Sequence, residues 1–175
     1  FGVWLVDPDG SNLRNIANPG LGPAWSPDGR WVYYSTRGGV AATDVMLKKV
    51  PVDGGPAVTV RTDRSRNVIG LAGTTLYYLS ERPLMDGTPE FEVRAATPED
   101  APFRVLARIP ASRVPIWQIV NPALSPDGKW LAYLRDQREL RVIELATRQD
   151  RVLYTGDVPE PLDPGRSIAW SSDSK

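Results

Sequence analysis

The sequence predicts an all-β chain built from repeated four-stranded antiparallel units, and three observations lead there. Proline and glycine are dense, with 17 Pro and 15 Gly making up about 18% of 175 residues against an average near 12%. Such punctuation breaks helices of ordinary length and suits short strands joined by turns. A segment recurs, as Gly22-Pro23-Ala24-Trp25-Ser26-Pro27-Asp28-Gly29-Arg30-Trp31, as Asn121-Pro122-Ala123-Leu124-Ser125-Pro126-Asp127-Gly128-Lys129-Trp130, and shortened as Ile168-Ala169-Trp170-Ser171-Ser172-Asp173-Ser174. The runs after the turns, Trp31-Val32-Tyr33-Tyr34, Leu76-Tyr77-Tyr78-Leu79 and Trp130-Leu131-Ala132-Tyr133, are apolar on both faces. Strands of that kind are covered on both sides.

The turn has its own mechanism. In Ser-Pro-Asp-Gly the proline presets φ at the second position of a type I turn and the serine hydroxyl accepts a nearby backbone N–H. Glycine then takes the left-handed conformation that returns the chain as a hairpin. A degenerate copy around Gly73 completes the series, with spacings of 44 residues from Gly29 to Gly73, 55 from Gly73 to Gly128 and 46 from Asp127 to Asp173. A period in the mid-forties is the length of one four-stranded β-propeller blade.

The elements follow in order. Residues 1–16 are expected to be the second half of a blade, an alternating strand closed by the turn Asp7-Pro8-Asp9-Gly10. Residues 22–61, 67–107 and 119–154 are expected to be three complete blades. Each has an apolar second strand, an alternating third strand such as Phe91-Glu92-Val93-Arg94 or Leu140-Arg141-Val142-Ile143, and a short outer strand. Residues 167–175 begin a further blade, so about three complete blades carry partial blades at both ends. In one arrangement the terminal halves share a three-stranded blade and close a four-bladed ring. The expected one is an arc of a larger propeller whose open apolar sheet faces invite self-association.

The Pro-Ala-Trp-Ser-Pro-Asp-Gly-Arg segment and the aromatic strand after it resemble the TolB-type β-propeller repeat, a relative of the WD repeat. The resemblance covers essentially the whole chain, with strong copies at residues 26–29 and 125–128. It implies a non-catalytic scaffold that presents a loop-built surface to a protein or peptide partner in an extracytoplasmic, bacterial setting. These repeats also resemble the propeller that gates a prolyl oligopeptidase-family serine peptidase, whose hydrolase domain would lie outside this chain. The related oligogalacturonate lyase propellers rely on His for their metal chemistry, and this chain has no His.

Composition narrows the chemistry. A chain with no His and no Cys builds no Ser-His-Asp triad, no Cys nucleophile and no zinc or haem site of the usual ligand types. No catalysis and no cofactor or metal are therefore expected from these residues. The 21 basic and 21 acidic residues cancel, which gives no reason to expect nucleic acid as a partner. Apolar stretches such as residues 31–34 are far shorter than the ~20 residues of a membrane span, so no membrane insertion is expected.

Binding candidates come from the expected loops. Arg37, Arg82 and Arg135 recur after the buried strand of each blade, with Arg64 and Arg66 on an adjoining loop. They are either guanidiniums around one mouth, suited to carboxylates or phosphates, or solvated edge residues. Met85 sits beside Leu84 at the apex of the insertion at residues 80–90, as an exposed anchor or tucked against the blade. Trp117 either belongs to an apolar loop or begins an inner strand and packs in the core. The oxygen-rich run Asp7 to Asn12 lacks the EF-hand pattern and reads as a hairpin turn. Asp28 and Asp127 read as turn residues on separate hairpin tips.

Overall fold

The computed structural model describes residues 2–36, 45–83, 89–110, 122–135, 138–156 and 168–174. All regular structure among them is β. The strands are β1 (Val3–Leu5), β2 (Arg14–Ala17), β3 (Leu21–Trp25), β4 (Trp31–Ser35), β5 (Leu47–Pro51), β6 (Val58–Arg61) and β7 (Ser65–Ala72). They continue as β8 (Thr75–Pro83), β9 (Pro89–Ala96), β10 (Arg104–Pro110), β11 (Ala123–Leu124), β12 (Trp130–Arg135), β13 (Glu139–Glu144) and β14 (Asp150–Thr155). The sheets are β1-β2, β3-β4-β5-β6, β7-β8-β9-β10 and β11-β12-β13-β14, antiparallel throughout. Inner strand β7 touches both β3 and β11, so successive sheets adjoin along their first strands. Residues 168–174 join no sheet; the Trp170 indole donates to the Ala123 carbonyl at 3.0 Å on β11.

The Ser-Pro-Asp-Gly tips form as the residue chemistry requires. Ser26 Oγ accepts the Trp31 amide at 2.9 Å and donates to Asp28 Oδ1 at 2.5 Å, while the Arg30 amide donates to the same oxygen at 3.1 Å. Ser125 repeats this with Trp130 at 2.9 Å and Asp127 at 2.6 Å, and Lys129 donates to Asp127 at 3.1 Å. Gly29 and Gly128 have φ of +70° and +68°, the left-handed region that favours glycine. The serine hydroxyls and the following amides hold both aspartates below the usual carboxylate range.

Strand pleating sends alternate side chains to opposite neighbours. Val32 and Tyr34 of β4 pack with Val50, Val3 and Ala17, toward the β1-β2 sheet. Tyr33 and Leu47 turn the other way, onto Leu76, Tyr78 and Ala96 of the next sheet. Tyr77, Leu79, Phe91 and Val93 continue outward onto Leu131, Tyr133 and Ile143. Each large apolar side chain so buried contributes about 1.5–3 kcal/mol. The double-sided apolar strands are the mortar between successive sheets.

Candidate functional site

The end of the second four-stranded sheet remote from its Gly73-Thr74 turn is rich in charge, and Arg82 lies there. Arg82 is part of β8, in register with Glu90 of β9, so the expected 80–90 loop is strand at both its ends. The strands run on because opposite charges face each other across them. Glu92 stands in register with Arg108 of β10 on one side and with Ser80 of β8 on the other, and opposite-charge pairs across a ladder support it. Arg82 Nη1 lies 3.6 Å from Glu90 Oε2 and 3.7 Å from Glu92 Oε1. Its side chain is 49% exposed.

Arg135 stands at the matching end of β12, in register with Glu139. Its pleat position is that of Leu131 and Tyr133, which pack on the second sheet, whereas Arg82 shares the pleat position of Tyr78, which packs on the first. The two guanidiniums therefore belong to different sheet junctions. Arg66 donates through Nε to Glu81 Oε2 at 2.6 Å, and Arg64 has φ of +55° in the turn before it. Arg37, Met85 and Trp117 lie outside the described residues.

Sequence reading missed the deeper cluster. Glu92 is 3% exposed and accepts Arg94 Nε at 2.9 Å and Nη2 at 2.7 Å, a two-pronged pair, with Arg108 Nε at 3.3 Å. Arg94 also donates to Asp63 Oδ2 at 2.8 Å. Asp63 accepts Ser65 Oγ at 2.5 Å and the Tyr78 hydroxyl at 3.0 Å, and Arg61 donates to that hydroxyl at 3.0 Å. Phe103 covers Arg94, with the guanidinium carbon 3.8 Å from the ring centroid, a favourable cation–π contact. Burial pushes the Glu92 and Asp63 carboxyls up. For Glu92 the bonds and charges of Arg94 and Arg108 more than offset it; for Asp63, Ser65, Tyr78 and Arg61 do so. Both therefore stay below the ordinary range.

The only hint of this cluster in the sequence was the alternation Phe91-Glu92-Val93-Arg94, which puts an acid and a base on one pleat face. Chemically the cluster binds the segment at residues 61–65 to the second sheet. Among the described residues no group of three or more His, Cys, Asp or Glu is placed to hold a metal ion.

A segment of 36 residues is 61% identical to the Tol-Pal system protein TolB of Nitratidesulfovibrio vulgaris, covering 19% of this chain and 8% of that protein. Over that segment the chain is similar to a TolB protein, and its architecture of four-stranded antiparallel sheets is that of a β-propeller. Its fold superposes on the crystal structure of TolB from Acinetobacter baumannii with a TM-score of 0.64 at 15% identity, over 98% of this chain and 41% of that one. It also superposes on a puromycin-hydrolyzing peptidase of Mycobacterium tuberculosis with a TM-score of 0.60 at 21% identity, over 84% of this chain and 24% of that one. The chain thus spans less than half the length of these proteins. No protein-family model matches it.

Proposed function

We propose that this chain is a non-catalytic TolB-like scaffold that presents a loop-built surface to a protein or peptide partner in an extracytoplasmic compartment. The observation that carries the reading is the 61% identity over 36 residues to a protein of the Tol-Pal system. The absence of His and Cys from the chain supports it, since the common acid–base and thiol chemistries need those residues. Arg82, which is exposed, and Arg135, which is partly buried, together with Arg37, Met85 and Trp117, are the proposed contact positions. The same reading includes self-association through apolar side chains exposed at the two ends of the sheet series, Trp4 of β1 at one and Tyr154 of β14 at the other.

A second reading is favoured by the similarity to the puromycin-hydrolyzing peptidase. There the chain is part of a propeller beside a hydrolase domain. One experiment separates the two. The gene is read beyond codons 1 and 175, and its full product is assayed on a fluorogenic peptide and cross-linked in the cell envelope. Further Ser-Pro-Asp-Gly copies, no hydrolysis and a reproducible cross-linked Tol-Pal component support the scaffold. A downstream Gly-x-Ser-x-Gly with later Asp and His, together with hydrolysis, overturns it in favour of the peptidase.

A further inference from the structure

Hairpin tips of neighbouring repeats touch at two junctions and part at a third. A Cβ on Gly128 would meet the Cβ of Ala72 at 2.8 Å, and the Asp127 amide donates to Ser174 Oγ at 3.1 Å. Between the first and second four-stranded sheets the tips stand apart, and a Cβ on Gly29 or on Gly73 would meet nothing within 4 Å. The sequence supplies the reason. The tip joining β3 to β4 spans Ser26 to Arg30, whereas β7 and β8 are joined by Gly73 and Thr74 alone. The shortened tip leaves a cleft of about 480 Å³ beside it, within the roughly 300–1,000 Å³ usual for ligand sites.

The lining has a definite chemistry. Trp31 and Tyr33 form one wall, and Lys49 Nζ sits 4.6 Å from the Trp31 ring centroid. Glu99 closes the cleft from the β9-β10 hairpin, pairing with Lys49 at 2.5 Å and accepting the Tyr33 hydroxyl. That pair neutralises itself. Asp28 and Asp100 remain as exposed carboxylates at the mouth. Arg30, next to Asp28, adds a nearby positive charge but does not line the cleft. Pro27 and Pro98 add flat apolar surface on either side. The lining carries three carboxylates against one ammonium, so its excess charge is negative and lies at the entrance.

We propose that this cleft is a subsite for a basic side chain, Arg or Lys, carried by an extended segment of a protein partner. The aliphatic stem runs along the proline and indole walls, and the cationic head meets Asp28 and Asp100. Long basic side chains divide in this way, with the stem against apolar surface and the head at the polar edge. The proposal rests on the scaffold reading and names what the scaffold takes.

The test uses the full gene product and two probes, acetyl-Gly-Arg-Gly-amide and its citrulline counterpart, which keeps the shape and removes the charge. Amide and indole NMR shifts report binding. The arginine peptide is expected to move the Trp31 indole and the Gly73 and Thr74 amides, to weaken as salt rises, and to bind roughly ten-fold tighter than the citrulline peptide. The variants Asp28→Asn and Asp100→Asn each lower its affinity roughly three- to ten-fold. Asn at 28 retains an oxygen to accept Ser26, so the turn survives. Thr74→Trp fills the cleft and abolishes binding without removing any charge. Equal binding of the two peptides, or a Trp31 indole unmoved by the arginine peptide, overturns the proposal. If the cleft fails while the envelope partner still cross-links, only the subsite falls; if the cleft binds arginine and no partner cross-links, the scaffold reading falls instead.

Discussion

Tyr133 donates its hydroxyl to Asp150 Oδ2 at 2.6 Å, tying β12 to β14 across the strand between them. Arg141 on that middle strand holds Asp150 Oδ1 at 3.1 Å and also donates to Glu139 at 2.8 Å. The outer strand is exposed along its whole length, so this bond supplements its ladder of backbone hydrogen bonds. Tyr133→Phe keeps the ring in the core and removes only the donor. The expected loss is about 1 kcal/mol, read from urea unfolding at neutral pH. A loss beyond 3 kcal/mol would mean that the hydroxyl organises more than one strand.

The same chemistry recurs at Tyr33 with Glu99 and at Tyr78 with Asp63, and it sets the alkaline limit of the fold. Burial first, and the adjacent carboxylate second, push Tyr78 up to about 12 and push Tyr33 and Tyr133 higher still. The unfolded chain titrates its tyrosines near 10. The folded state thus holds these protons more tightly. The stability they contribute is complete below about pH 10 and is lost as pH rises through the folded values, at up to about 1.4 kcal/mol per pH unit for each tyrosine. Thermal melts from about pH 8 to about pH 12 are expected to show a falling Tm above about pH 10. Tyr78→Phe is expected to flatten that fall; an unchanged slope would remove Tyr78 as a cause.

The charged end of the second sheet yields a contrast between neighbouring residues. Glu92 is buried and is the counter-charge for Arg94 and Arg108, so Glu92→Gln leaves guanidiniums without it and is expected to cost about 2–3 kcal/mol. Arg82 lies 3.6 Å or more from its acidic partners and is half exposed, so Arg82→Ala is expected within about 0.5 kcal/mol of wild type. Because Glu92 is held below the usual carboxylate range, its contribution is present above about pH 4.5 and is lost as pH falls through its folded value. Urea midpoints of the two variants at neutral pH check the contrast. Equal losses would mean that the cluster acts as one unit rather than through its buried member.

How much of this was legible in the sequence depends on where the information lies. The hairpin tips, the period and the double-sided apolar strands are local: Ser26, Asp28 and Gly29 specify their turn within four residues, and Val32 and Tyr34 alternate with Tyr33. The all-β propeller reading stands on these. The charged cluster is not local, since Asp63, Glu92, Arg94 and Arg108 come from three segments and meet only once the register is set. The prolines and glycine of residues 80–90 look like punctuation and predict a loop at Arg82, while cross-strand charge carries β8 as far as Pro83. The cleft beside Thr74 arises from a tip shorter than its neighbour, visible as a degenerate repeat but not as a space.

That difference between tips gives the last prediction. Gly29 and Gly128 occupy the same place in their repeats and have nearly the same φ, +70° and +68°. Replacing either with alanine imposes the left-handed penalty of about 1–2 kcal/mol. At Gly29 a Cβ meets nothing within 4 Å, whereas at Gly128 it meets the Cβ of Ala72 at 2.8 Å. Gly29→Ala is therefore expected to lose about 1 kcal/mol and Gly128→Ala about 2–3 kcal/mol, the excess being the cost of forcing two packed tips apart. Ala72→Gly removes the methyl that clashes, so the double variant Gly128→Ala with Ala72→Gly is expected to recover the excess but not the backbone penalty. Urea unfolding of the four chains in a double-mutant cycle measures this coupling. A coupling near zero would show that the tips of the second and third four-stranded sheets do not bear on one another in solution.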